Sequence, residues 1–253
     1  MKYLLSSTLL AFAVCSSTCA GAVEVTLIAP GGIRAALQQM FPAFEAKTGN
    51  TVKGTFGSGG GTHAQVVKGE PFDVPVVQVP YDDVIKSGHV VVASETPLAN
   101  VSVGLAVRTG TPKPDISTAD AVKKLLLGAK FIAYPDAARG AAAGVSFNET
   151  LAKLGIAEQM KPKIKIAQGG AGAMKMLADG EVDYGLTFVS EIITEPGVEA
   201  VGPLPRDIST PTFLTAFLSA DSKIPDAAKA LIAYLSSPEA AAVYKQRGML
   251  PGK

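Results

Sequence analysis

Tryptophan is absent, and the 253 residues hold only two cysteines and two histidines. Both cysteines, Cys15 and Cys19, fall in an N-terminal stretch that begins with Lys2, runs through an apolar segment and ends in the small residues Ala20-Gly21-Ala22. A charged start, a short apolar core and an A-x-A site read as a secretory signal peptide, residues 1–22, cleaved after Ala22. The mature chain then has no cysteine, which excludes disulfides, thiol catalysis and thiolate metal sites. A lipid anchor would need a small residue just before its cysteine, but Val14 and Thr18 stand there. With His63 and His89 as the only imidazoles, and without H-E-x-x-H or G-x-S-x-G, metalloprotease and serine-hydrolase readings fall away. No metal site and no cofactor is expected.

An excess of one charge is also lacking. There are 23 basic and 22 acidic residues, and loss of Lys2 with the leader balances them. Nucleic acid and anionic membrane surfaces are therefore not expected partners. No second long apolar run follows the leader, so the mature chain reads as soluble, and as a monomer.

Short β-branched runs alternate with helix-like stretches, the pattern of an α/β fold with largely parallel sheets. Strands are expected at residues 23–28, 52–56, 74–79, 101–107, 130–133, 164–167, 184–188, 198–201 and 213–218. Residues 33–47 carry Ile33, Leu37, Met40, Phe41 and Phe44 at helical spacing, closed by Gly49-Asn50. Further helices are expected at 62–68, 81–87, 118–127, 144–154 and 171–179. Two consecutive terminal helices, 225–235 and 238–246, each enter through a proline. Proline-rich segments at 109–114 (TGTPKP) and 203–211 (PLPRDISTP) bracket the middle of the chain. If both are crossovers, residues 23–107 and 212–253 form one discontinuous lobe and 108–211 a second. The ligand of such a body lies between the lobes, at the C-terminal ends of strands.

Glycine-rich turns sit where strands hand the chain to helices. Gly31-Gly32, then Ser58-Gly59-Gly60-Gly61, then Gly169-Gly170-Ala171-Gly172 each precede a helical run. Unpaired N–H groups and the helix dipole favour an anion there, and glycine lets the backbone approach it closely. Neither nucleotide fingerprint is met: G-x-x-x-x-G-K-[ST] is absent, and Lys175 stands where the last glycine of a dinucleotide motif would fall. A small free anion fits better, although each turn alone is equally well a plain tight loop.

Four stretches, FEAKTG (44–49), FGSGG (56–60), GEPFDV (69–74) and LSSPEAAAVYKQRGMLP (235–251), taken in that order, resemble periplasmic solute-binding proteins, most closely the molybdate-binding type. The resemblance implies a two-lobed class II binding-protein fold, a periplasmic location, and an anion held by neutral donors and passed to a membrane permease. Where that type places serines in the first two turns and a tyrosine after a late strand, this sequence has Gly31-Gly32, Ser58 and Phe188. Ser58 alone survives as a hydroxyl donor.

Charged donors stand near the same turns. Arg34 follows the first, His63 the second, and Arg139 lies in the loop YPDAARGAAAG. Arginine forks match carboxylates, so the set points to a di- or tricarboxylate. Each also has an ordinary alternative, as a solvated helix residue, a helix-face histidine or a surface loop charge. Tyr81 is a candidate hydroxyl donor, with Tyr134 and Asp136 more remote ones; Asp82 and Asp83 are ordinary helix-start carboxylates, and His89 an ordinary helix-end charge. The expected ligand set is thus Gly31, Gly32, Arg34, Ser58, Gly59, Gly60, Tyr81, Arg139 and Gly170. One branch similar to molybdate-binding proteins is an enzyme, aconitate isomerase, which can work by an allylic proton shift. On that alternative His63 is the candidate shuttle. A molybdate or tungstate receptor is the third reading.

Overall fold

The structure is a computed structural model describing residues 21–252. The expected leader therefore lies, except for Gly21 and Ala22, outside the described residues. Strands are β1 (Glu24–Pro30), β2 (Thr51–Gly57), β3 (Val74–Gln78), β4 (Val90–Val101), β5 (Val103–Arg108), β6 (Ile132–Pro135), β7 (Ile164–Ala167), β8 (Tyr184–Phe188), β9 (Val198–Pro203), β10 (Thr212–Ser219) and β11 (Leu250–Pro251). Helices are α1 (Arg34–Thr48), α2 (Gly59–Val67), α3 (Asp82–Ser87), α4 (Ala119–Gly128), α5 (Ala142–Lys153), α6 (Ala157–Met160), α7 (Gly169–Ala178), α8 (Val189–Ile192), α9 (Pro225–Leu235) and α10 (Pro238–Gln246). None of the described helices is long and apolar enough to cross a membrane.

These elements build two sheets. The first runs β11-β4-β10-β3-β1-β2 and the second β7-β6-β8-β5-β9. Only β1-β2, β1-β3, β6-β7 and β6-β8 are parallel pairs; β10, β4, β11, β5 and β9 join antiparallel. The expected largely parallel sheets are thus mixed, because strands next to the crossings return against the βα units of each lobe. The run 101–107, expected as one strand of the first lobe, splits at Ser102: β4 stays in the first sheet and β5 pairs with β8 and β9 of the second. The chain changes sheet there, before TGTPKP, and returns between β9 and β10 through residues 204–211.

Strand β4 was not expected from the sequence. Its segment VVVASETPLANV carries Pro97 and the polar run Ser94-Glu95-Thr96, which argue against a strand. It survives because its register with β10 shifts on either side of the Pro97 region, where a missing N–H is tolerated.

Helix α1 covers the first sheet with Ala36, Leu37, Met40, Phe41 and Phe44, and ends at Gly49 in the left-handed region (φ 75°). The terminal helices pack beside it: the Phe44 and Tyr234 rings are 5.7 Å apart, and Ser237 caps α10 by accepting from the Ala240 N–H at 3.2 Å. In the second lobe, Phe147 and Leu151 of α5 and Ala173, Met174 and Leu177 of α7 are buried, covering β6 and β8. Each lobe is a packed α/β layer, and the candidate site lies where the two layers meet.

Candidate anion-binding site

A cleft of about 320 Å³ opens between the two sheets. Its walls are the C-terminal ends of β1, β2, β6, β7 and β8 and the helix starts that follow them. One side presents Pro30–Gly32, Arg34 and Gly57–Gly59; the other presents Pro135, Ala141–Ala143, Gln168–Ala171, Phe188, Ser190 and Glu191. Four of these five βα turns carry glycine or alanine, which brings the backbone close to the cavity, whereas the β8–α8 turn contributes the side chains of Phe188, Ser190 and Glu191.

The turns differ in detail from the expectation. Gly31–Ile33 form a 3-10 turn leading into α1. Gly59 to Gly61 are not a loop but the first turn of α2, and α7 likewise begins at Gly169. Ser58 is the cap of α2, its Oγ accepting the Gly61 N–H at 3.1 Å, so its own O–H proton remains available to a ligand. Glycine occurs early in both helices because α2 and α7 must bring their first backbone turns up to the cavity.

Arg34 lines the cleft. Its guanidinium lies over the Phe56 ring, 5.2 Å from the centroid, and Nη2 donates to the Phe56 carbonyl at 3.4 Å. One edge of the fork is thereby positioned, while the side chain remains exposed on the cleft side. Gly31, Gly32, Ser58, Gly59 and Gly170 also line this cavity.

Four expected residues do not. Gly60 lies beyond the wall, where its N–H donates to the Gly140 carbonyl at 3.0 Å across the lobes. His63 faces an adjoining cavity of about 370 Å³ with Gln78, Val145 and Glu149, and its Nε2 sits 2.7 Å from Asp83 Oδ1. That hydrogen bond holds the Asp83 carboxyl below the usual carboxylate range. His63 thus borders this adjoining cavity, which shares Gly59 and Ala142 with the first, rather than the first cavity itself. Tyr81 donates to Glu95 at 2.6 Å and packs edge-on against Phe217, inside the first lobe. Arg139 is exposed at the end of a 3-10 turn and lines neither cavity. Tyr134 is buried, donates to Asn148 at 2.7 Å, and has its phenol pushed up by burial; Asp136 caps the turn after β6.

Two residues missed in the sequence complete the site. Ser190 donates to the Gly32 carbonyl at 2.7 Å in a buried bond that ties the lobes together. Glu191, the third residue of α8, turns back toward the start of its helix: its Oε2 accepts from Thr187 Oγ1, while Oε1 faces Gly31 of the other lobe. Burial pushes its carboxyl up, while Thr187, the Phe188 backbone and Arg34 pull it down.

Two packed α/β layers joined by strand crossings, with a cavity lined by helix starts from both, define a two-lobed binding protein. Residues 25–250 match the bacterial extracellular solute-binding protein family, and the chain belongs to it, in its molybdate-binding-like group. It is 31% identical over 235 residues to aconitate isomerase of Pseudomonas sp, covering 90% of this chain and 87% of that one. It is 29% identical over 254 residues to the molybdate-binding protein ModA of Azotobacter vinelandii, covering 98% of each. The solved periplasmic molybdate-binding protein of Azotobacter vinelandii superposes with a TM-score of 0.74 at 22% identity, over 90% of this chain and 99% of that one.

Proposed function

We propose that this protein is a periplasmic solute-binding protein that holds a small di- or tricarboxylate in its interlobe cleft and hands it to a membrane permease. The observation that carries the reading is Arg34. A guanidinium seated on Phe56 at the edge of a cavity lined by glycine-rich helix starts pairs a carboxylate bidentately, while a helix start takes a second anionic group. The positions where a molybdate site would offer hydroxyls are held by Gly32 and by Phe188, whose ring fills the space beside it. A volume of about 320 Å³ is ample for a compact organic acid, since a water occupies roughly 30 Å³ of liquid.

A second reading is favoured by the 31% identity to aconitate isomerase together with a carboxyl, Glu191, lining the cleft. On that reading the protein moves a proton within trans-aconitate rather than only binding it. Proton NMR of trans-aconitate with a catalytic amount of purified protein separates the two. Broadened ligand lines without conversion mark a receptor, appearance of cis-aconitate marks the isomerase, and neither effect contradicts both.

A further inference from the structure

Glu191 is out of place in a cavity built for anions. Five strand-to-helix junctions border the cleft, yet the protein has put a carboxylate of its own among them. One oxygen is accounted for: Oε2 accepts from Thr187 Oγ1 near the end of β8. That bond does not account for the other. Oε1 looks across to the opposite lobe, 3.3 Å from where a side chain on Gly31 would begin, and Oε2 likewise borders Gly170 at the start of α7.

Any anion that reaches the glycine turns meets this carboxyl. Two carboxylates brought together within hydrogen-bond reach repel, and the usual resolution is that they share one proton. From the glycine-bearing 3-10 turn and from α7 no side-chain charge faces Glu191; Arg34 of α1 attracts its ionised form and Glu195, just beyond α8, opposes it. Thr187 of β8 supplies a neutral hydroxyl.

We propose that Glu191 is a ligand-contacting residue that carries one proton into the complex, so that the cleft binds its anion together with a proton held between Glu191 and the nearest ligand oxygen. This rests on the carboxylate reading for the identity of the anion, but not for the proton. It also supplies the group that an isomerase would need within reach of its substrate, in place of His63.

The test is calorimetric titration of the purified protein with tricarballylate, a saturated tricarboxylate that cannot isomerise, from pH 6 to pH 9, in two buffers of different ionisation enthalpy. Phosphate, sulfate and molybdate are titrated in parallel. Wild type should take up close to one proton per anion at the alkaline end, with Kd rising about tenfold per pH unit there. Glu191→Gln, whose amide donates at every pH, should lose both the uptake and the slope, and should bind more tightly than wild type at pH 9. Circular dichroism checks that the variant is folded, and the two-buffer experiment on wild type stands without it. Binding of any of the four anions with no proton uptake overturns the proposal. Binding of an inorganic anion but not of tricarballylate, with uptake intact, overturns the carboxylate reading and leaves the proton role standing. Binding of none overturns both.

Discussion

The ring of Phe188, on the second lobe, lies against Gly32, on the first: a Cβ on Gly32 would stand 2.8 Å from Phe188 Cδ2. The contact forms across the cleft, so each residue sets how far the lobes can close on the other. It also links two departures from the molybdate-binding pattern, for a hydroxyl-bearing residue at position 32 has no room while Phe188 is there. Gly32→Ser should therefore hold the lobes apart and weaken anion binding by about tenfold or more, since overpacking costs about 1–3 kcal/mol. The double change Gly32→Ser with Phe188→Ala should recover part of that loss. Calorimetry on the three proteins checks the prediction, and equal losses in the single and double variants would contradict it.

The two arginines singled out in the sequence should separate. Arg34→Ala removes a charge-assisted pair worth about 1.5–3 kcal/mol, so binding of a carboxylate should fall by about one to two orders of magnitude. Arg139→Ala, exposed and outside the cleft, should leave the affinity within about twofold. A reversed ranking in fluorescence or calorimetric titration would place the anion elsewhere.

Ser190→Ala cuts the buried bond to the Gly32 carbonyl and leaves that acceptor unpaired at the lobe interface. The closed arrangement should lose about 1–3 kcal/mol. Small-angle scattering should show a larger radius of gyration for the variant without ligand, with the difference shrinking on ligand saturation.

The carboxyl of Glu191 is raised by burial, so folding favours its protonated form. The sign follows directly: this stabilisation is complete below the carboxyl's unfolded value and is lost as pH rises through the raised one. Thermal melts of ligand-free wild type and Glu191→Gln should therefore diverge with rising pH, the variant gaining relative to wild type. A constant difference from pH 4 to pH 9 would contradict a buried, proton-binding carboxyl.

His63→Ala tests a different point. His63 pairs with Asp83 outside the cleft, so its loss should leave anion affinity unchanged and allow the Asp83 carboxyl to titrate nearer its ordinary range. A carbon-detected NMR titration of the aspartates checks the second part.

Much of the fold was legible because its signals are local. Phe44 and its helical neighbours, the glycine at position 49 and the prolines opening α9 and α10 each announce an element through chemistry within a few residues. Strand β4 was not legible, since Pro97 is acceptable only through a register shift supplied by β10, more than a hundred residues away. The sheet change at Ser102 was hidden for the same reason: nothing in an apolar run tells which sheet will pair with it. In the site, backbone donors could be found from glycine alone, and Arg34 from its place after a turn. Side-chain direction could not be found. His63 sits four residues after Gly59 and faces the adjoining cavity, whereas Glu191, inside the stretch GLTFVSE, borders the cleft with its carboxyl turned back onto Thr187.

The measurement that bears most directly on the account is a side-by-side calorimetric titration of the purified protein with tricarballylate and with molybdate at pH 7. Binding of tricarballylate in the micromolar range or tighter, lost on Arg34→Ala, with no heat from molybdate, is the predicted result. Tight molybdate binding that survives Arg34→Ala, with no response to tricarballylate, would contradict it.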